Sequence, residues 1–112
     1  MDIKRLSKVS RLLQKELGDI FQKSGQNEYK GSIITVTDVN VSKDLSIANV
    51  YLSIFTTGDK EKLFERIVSN TKETRYNLSQ KIKNQVRIIP ELRFFIDNSL
   101  DYIEHIDSLL KK

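Results

Sequence analysis

Lys4, Lys8, Arg11 and Lys15 recur at spacings of 4, 3 and 4, with Arg5 beside the first. On a helix that spacing puts the four cations on one face, and such a row can track a phosphate backbone. Only Lys15 has an acid four residues on, Asp19. A second group, Lys72, Arg75, Lys81, Lys83 and Arg87, is partly offset by Glu73 and Glu91. Contacts of this kind position a protein on nucleic acid without reading its sequence. The plainer reading of either group is a solvated helix face.

Other chemistries find no support in the residues. There is no cysteine, which excludes disulfides and thiolate metal sites. His105 is the single histidine and lies between Glu104 and Asp107, where it reads as a surface residue; alone it makes no His-based zinc site. The carboxylates, lysines and hydroxyls form no recognisable catalytic motif, so neither an enzyme nor a cofactor is expected. Gly18, Gly25, Gly31 and Gly58 are too dispersed for a phosphate-binding loop. Tyr51 and Phe55 share one side of an expected strand. Such aromatics can stack bases, but a pair on a short sheet is more commonly core, and core is the expectation taken.

The elements that must position the cations follow from periodicity. Residues 3–23 carry Leu6, Val9, Leu13, Leu17 and Ile20 at spacings of 3, 4, 4 and 3, the stripe of an amphipathic helix. The basic row lies nearly opposite that stripe. The polar cluster Lys23-Ser24-Gly25-Gln26-Asn27 is expected to end the helix. Residues 32–41 are β-branched and read as a strand, but Ile34 and Val36 differ in parity from Val39 and Val41, which predicts a bulge near Thr37-Asp38. After a turn at residues 42–46, residues 48–55 form the returning strand.

Residues 60–84 read as helix, with Phe64, Ile67, Thr71, Leu78 and Ile82 on one side. A straight helix of that length would span about 35 Å, long against the roughly 13 Å radius of gyration of a small domain. A break is therefore expected at the weak helix formers Ser69-Asn70-Thr71. Pro90 then introduces a strand whose Leu92, Phe94 and Ile96 oppose Arg93, Phe95 and Asp97. A short last helix, from about Ser99 to Leu110, would bury Ile103, Ile106 and Leu110 and expose Asp101, Glu104 and Asp107. The order implies an α+β fold, a three-stranded sheet with helices packed on one face.

At 112 residues the chain suits one domain and one core. The net charge of +4 is unevenly spread. Residues 1–24 hold six Lys/Arg against three Asp/Glu, and residues 61–96 hold eight against four. Residues 25–60 hold three against four, and residues 97–112 two against four. That pattern suits a polyanion bound on one side. No apolar run is long enough to cross a membrane, and the charged start lacks a signal-peptide core, so a soluble cytoplasmic protein is expected.

Four blocks resemble the ribosome-binding factor A family of bacterial small-subunit maturation factors, in the right order and over most of the chain. R-L-S-K-V-S-R-L-L-Q-K-E-L (5–17) is similar to that family's R-x-x-R-V opening and its helix ending in Glu-Leu. I-T-V-T-D-V-N-V-S-K-D-L (34–45) looks like its V-T-x-V-x-x-S-x-D-L, and A-N-V-Y-L-S (48–53) like its A-x-V-Y-V-S. The fourth block is P-E-L-R-F-F-I-D-N-S-L (90–100).

The resemblance implies a type II K-homology (KH)-like domain over residues 1–112, with order α-β-β-α-kink-α-β-α. In that family an Ala-x-Gly kink replaces the G-x-x-G loop, in keeping with the lack of any glycine after Gly58. The kink position falls at Asn70, Thr71 and Lys72, with neither Ala nor Gly. The function implied is non-catalytic: binding the small (30S) ribosomal subunit, free or precursor rather than 70S, and assisting late 16S rRNA processing, with a link to growth in the cold. A general KH-like RNA chaperone is the alternative. Lys4, Arg5, Lys8, Arg11 and Lys15, with Lys72, Arg75, Lys81, Lys83 and Arg87, would meet the RNA. No cofactor, metal or membrane partner is implied, and a monomer is expected.

Overall fold

The structure is a computed structural model that describes residues 3–97 except 28 and 30; within the first helix the described side chains are those of residues 7–24. The expected last helix, Ser99 to Leu110, and His105 within it lie outside the described residues.

The first helix, α1 (Ile3–Asn27), buries Leu13, Leu17 and Ile20 as its periodicity requires, and Phe21 with them. It runs four residues beyond the expected end. Gly25 costs only about 1 kcal/mol relative to alanine in a helix, and Tyr29 supplies the opposing term. Its N–H donates to the Ser24 carbonyl at 2.7 Å and its side chain is buried in the core.

β1 (Ser32–Val41) pairs antiparallel with β2 (Ile47–Thr56), and β3 (Glu91–Ile96) pairs parallel with β2, giving the order β1-β2-β3. The register slips between Val36 and Asp38. That bulge lets Ile34, Val36 and Val39 all enter the core despite their change of parity. Pro90, itself buried, stands immediately before β3, where its missing N–H costs no ladder bond.

A parallel β2–β3 pair needs a crossover, and two helices supply it. In α2 (Lys60–Ser69) the Asp59 carboxylate caps the N-terminus by accepting from the Glu61 and Lys62 N–H groups. α3 (Thr71–Ile82) follows after one residue, Asn70, so the expected break is present. The inward stripe passes through Leu63 and Ile67, then Thr74, Leu78 and Ile82; Phe64 and Thr71, expected on that side, are only half-buried.

All three helices cover one face of the sheet. Phe21 of α1 meets Phe94 of β3 edge-to-face at 5.7 Å, and Val50 and Leu52 of the central strand are fully buried beneath. The expectation that Tyr51 and Phe55 are core is overturned. Both lie on the opposite, uncovered face, where Phe55 is 70% exposed. Strand alternation assigns Val50, Leu52 and Ile54 inward and therefore Tyr51 and Phe55 outward.

Candidate nucleic-acid interface

α1 lies between the free edge of β1 and α3. On the β1 side, Gln14 Nε2 donates to the Val36 carbonyl at 3.2 Å, satisfying an acceptor at the bulge. On the α3 side, Lys81 Nζ stands 3.6 Å from Glu16 Oε2. With its flanks engaged and Leu13 and Leu17 beneath, α1 presents Lys8, Arg11 and Lys15 outward, all three exposed. Lys4 and Arg5 belong to the same helix, but their side chains lie outside the described set.

The second basic group divides by its surroundings. The Arg75 guanidinium holds the segment that enters β3: Nε donates to the Pro90 carbonyl at 3.0 Å and Nη2 to the Ile89 carbonyl at 2.6 Å. Lys81 is paired with Glu16, as above. Lys72, Lys83 and Arg87 are exposed. Arg87 comes together with the first group: it and Lys8 line one cavity of about 500 Å³, with Val9, Leu45, Val86 and Pro90. Among the described residues no carboxylate lines that cavity. Two cations on an apolar floor without a counter-charge attract an anion more strongly than the same cations on an open helix. Arg11 borders a separate groove of about 420 Å³ with Ser7, Ser10 and Gln14, and there Asp38 of β1 supplies a carboxylate.

Leu45 reaches the shared cavity from the β1–β2 turn at a positive φ of 63°. A bulky side chain seldom adopts that conformation, and hydrogen bonds around the turn hold it there. The Asp44 carboxylate accepts from the hydroxyls of Ser42 and Ser46, each at 2.7 Å, and from the Ser46 N–H at 3.1 Å. Those bonds, Ser46's first, hold its pKa down at about 2.

The helix break is held from outside as well as within. Ser69 Oγ donates to the Glu65 carbonyl at 2.9 Å and Thr71 Oγ1 to the Val68 carbonyl, the back-bonding that bends helices. Asn70 Nδ2 donates to the Tyr29 hydroxyl at 3.0 Å, and the Arg66 guanidinium sits over the Tyr29 ring at 5.0 Å. Sequence reasoning passed over Tyr29. Its one signal is an aromatic directly after a polar cluster, which can mark an anchor for the chain leaving a helix.

Among the described residues no group of His, Asp and Glu could hold a metal ion, and no helix is long and apolar enough to cross a membrane.

Comparison with known proteins agrees with the fold and the blocks. The family model described as ribosome-binding factor A matches residues 5–110. The chain is 43% identical over 112 residues to ribosome-binding factor A of Cytophaga hutchinsonii, covering 100% of this chain and 84% of that protein. It is 44% identical over 111 residues to the same factor of Flavobacterium johnsoniae, covering 98% and 85%. Among solved structures, the crystal structure of ribosome-binding factor A from Thermus thermophilus superposes with a TM-score of 0.66 at 20% identity, over 81% of this chain and 94% of that one. A Thermus thermophilus homology model fitted into a cryo-EM map of a complex of that factor with 30S gives 0.64 at 22%, over 78% and 89%. The two structures share the fold, and the sequence matches run almost end to end: the chain belongs to the ribosome-binding factor A family.

Proposed function

We propose that this chain is a non-catalytic ribosome maturation factor. It binds free or precursor small (30S) subunits and assists late folding and processing of 16S rRNA, a task most demanding in the cold. Residues 1–112 serve as one KH-like RNA-binding domain that works in the cytoplasm as a monomer. The observation that carries this reading is the joining of the two basic groups where Lys8 and Arg87 share one cavity, which no carboxylate of the described residues lines. Around it, Arg11 and Lys15 extend the contact along α1, and Lys72 and Lys83 extend it along the crossover. Lys4 and Arg5 would lengthen the row toward the start of the helix. Arg75 and Lys81 join the surface in a positioning capacity, because their polar atoms already hold the Ile89–Pro90 carbonyls and Glu16.

Two further points support the ribosomal address. A Thermus relative of the same fold is fitted in a 30S complex. The chain has no glycine after Gly58, so it lacks the G-x-x-G loop with which an ordinary KH domain grips single strands. The mode that remains is backbone contact with folded RNA. Preference for the immature subunit then rests on differential affinity for two rRNA conformations.

Co-sedimentation with separated 30S, 50S and 70S particles, from cells grown warm and cold, tests the reading. Selective migration with free or immature small subunits is expected. Equal migration with every particle would favour a general KH-like RNA chaperone, and no migration at low salt would end both.

A further inference from the structure

Among the described residues three aromatic rings are strongly exposed: Phe55 at 70%, Tyr76 at 63% and Phe95 at 43%. Phe55 and Phe95 belong to the uncovered face of the sheet, where Phe95 stacks on Tyr51 at 5.4 Å. Tyr76 alone of the three stands on the helical side of the fold, among the cations of α3.

Helix phase sets its direction. Thr74, Leu78 and Ile82 turn one face of α3 into the core. Each residue advances about 100° around the axis, so Tyr76 points almost directly away from them. Lys72, four residues earlier, and Lys83, seven later, fall within about 40° of Tyr76 on the same side. Lys83 is the C-cap and keeps helical angles, φ −55° and ψ −29°. Along the axis the two lysines lie about 6 Å before and about 10 Å beyond the tyrosine. Both are exposed, as is Gln80 between them. Arg75 and Lys81 are turned aside, to the Ile89 and Pro90 carbonyls and to Glu16. Glu73, the one acid of α3, stands about 60° round the helix from Tyr76.

The fold makes no use of this ring. The Tyr76 carbonyl accepts from Ser79 Oγ at 2.7 Å, but among the described residues neither its ring nor its hydroxyl has a partner. Helix propensity does not account for it either, because an outward position is better filled by alanine, lysine or glutamine. A flat ring held between two unpaired cations suits an unpaired base with a phosphate on each side. Every base has a π-face, so such a contact is tolerant of sequence and adds to phosphate contacts that carry none. We propose that Tyr76 stacks on an unpaired base of the bound RNA while Lys72 and Lys83 meet the phosphates on either side. This rests on the reading of the chain as an RNA-binding protein. It narrows the RNA to a fold that offers a looped-out or bulged nucleotide beside a helix.

The chain has no tryptophan, so Tyr76→Trp creates a single fluorescent reporter at the site. The probes are an RNA stem closed by an unpaired loop and the same stem with abasic loop nucleotides. Both should shift the full chain in a gel at low salt, and the base-bearing loop alone should quench the tryptophan. Equal quenching by both stems, or a gel shift without quenching, overturns the stacking and leaves the basic surface standing. Failure of both stems to bind overturns the RNA-binding reading and the stacking with it. In the tyrosine chain, Tyr76→Phe should keep its affinity for the base-bearing stem and Tyr76→Leu should lose roughly tenfold, with the salt slope unchanged in both. Both variants should melt with the unaltered chain, since the ring takes no part in the core. Equal affinity of the phenylalanine and leucine variants also overturns the proposal.

Discussion

The Asn70 side chain donates to the hydroxyl of Tyr29 at 3.0 Å, tying the break between α2 and α3 to the chain that has just left α1. The two residues are 41 positions apart, yet each completes the other's element. Tyr29 closes the end of α1 through the Ser24 carbonyl, and Asn70 interrupts the crossover with its own N–H bonded to the Arg66 and Ile67 carbonyls. Tyr29→Phe keeps the ring under the Arg66 guanidinium and removes only the acceptor, so it should cost about 1 kcal/mol. Asn70→Ala should cost a similar amount. In a urea-denaturation cycle the double variant should fall short of the sum by about 0.5 kcal/mol or more. Strict additivity would show that the bond does not join the two elements.

How much of this was legible beforehand depended on whether a feature is local. The stripe of α1, the bulge at Thr37 and the strand after Pro90 each follow from side-chain periodicity within ten or twenty residues, and each is where periodicity put it. The helix break was also expected at Ser69-Asn70-Thr71, but partly for an unsound reason. Length alone does not forbid a long helix, since α1 runs unbroken for 25 residues. The break is a matter of side chains that hydrogen-bond their own backbone, Ser69 and Thr71, with a tertiary anchor on Asn70. Features made by distant residues were illegible. Arg75 reads in sequence as one cation among five, and only the fold brings it to the Ile89 and Pro90 carbonyls. Nor could periodicity say that Lys8 and Arg87 line one cavity, because their meeting depends on how α1 crosses the segment before β3.

Arg75 and Lys72 should therefore separate in their effects although both are exposed cations of one helix. Arg75→Lys can satisfy one of two carbonyls but not both, since a single ammonium lacks the guanidinium fork. It should lower stability by about 1 kcal/mol and speed amide exchange in residues 83–89. Lys72→Ala should leave stability within about 0.5 kcal/mol and weaken subunit binding instead. Equal stability losses for the two would remove the distinction between positioning and contact.

The turn that sets Leu45 should be acid-sensitive. Asp44 has its pKa lowered from 3.8 to about 2 by the hydroxyls of Ser46 and Ser42. A folded-state pKa below the unfolded one contributes stability that is fully present above the unfolded value and is lost as pH falls through the folded one. The Asp44 contribution should thus persist at pH 6 and fade between about pH 4 and pH 2. Comparing urea midpoints at pH 6 and pH 2.5, the unaltered chain should lose more than Asp44→Asn, whose amide does not titrate. An identical loss in both would show that the serine bonds do not stabilise the charged form.

The reach of the basic surface can be counted by salt. Six cations are exposed: Lys8 and Arg87 line the shared cavity, Arg11 and Lys15 lie on the outer face of α1, and Lys72 and Lys83 stand at the two ends of α3. If each neutralises one phosphate, the logarithm of affinity should fall against the logarithm of salt with a slope of about −4 to −5. Single alanine variants at Lys8 or Arg87 should each flatten the slope by about 0.7 to 0.9. Reversing Lys8, Arg11 and Lys15 to glutamate should abolish binding with the melting temperature nearly unchanged, because the three lie opposite the buried Leu13 and Leu17 and take no part in the core. A folded triple variant that still binds would move the interface off α1. A slope near zero in the unaltered chain would instead mean that RNA phosphates are not what this surface meets.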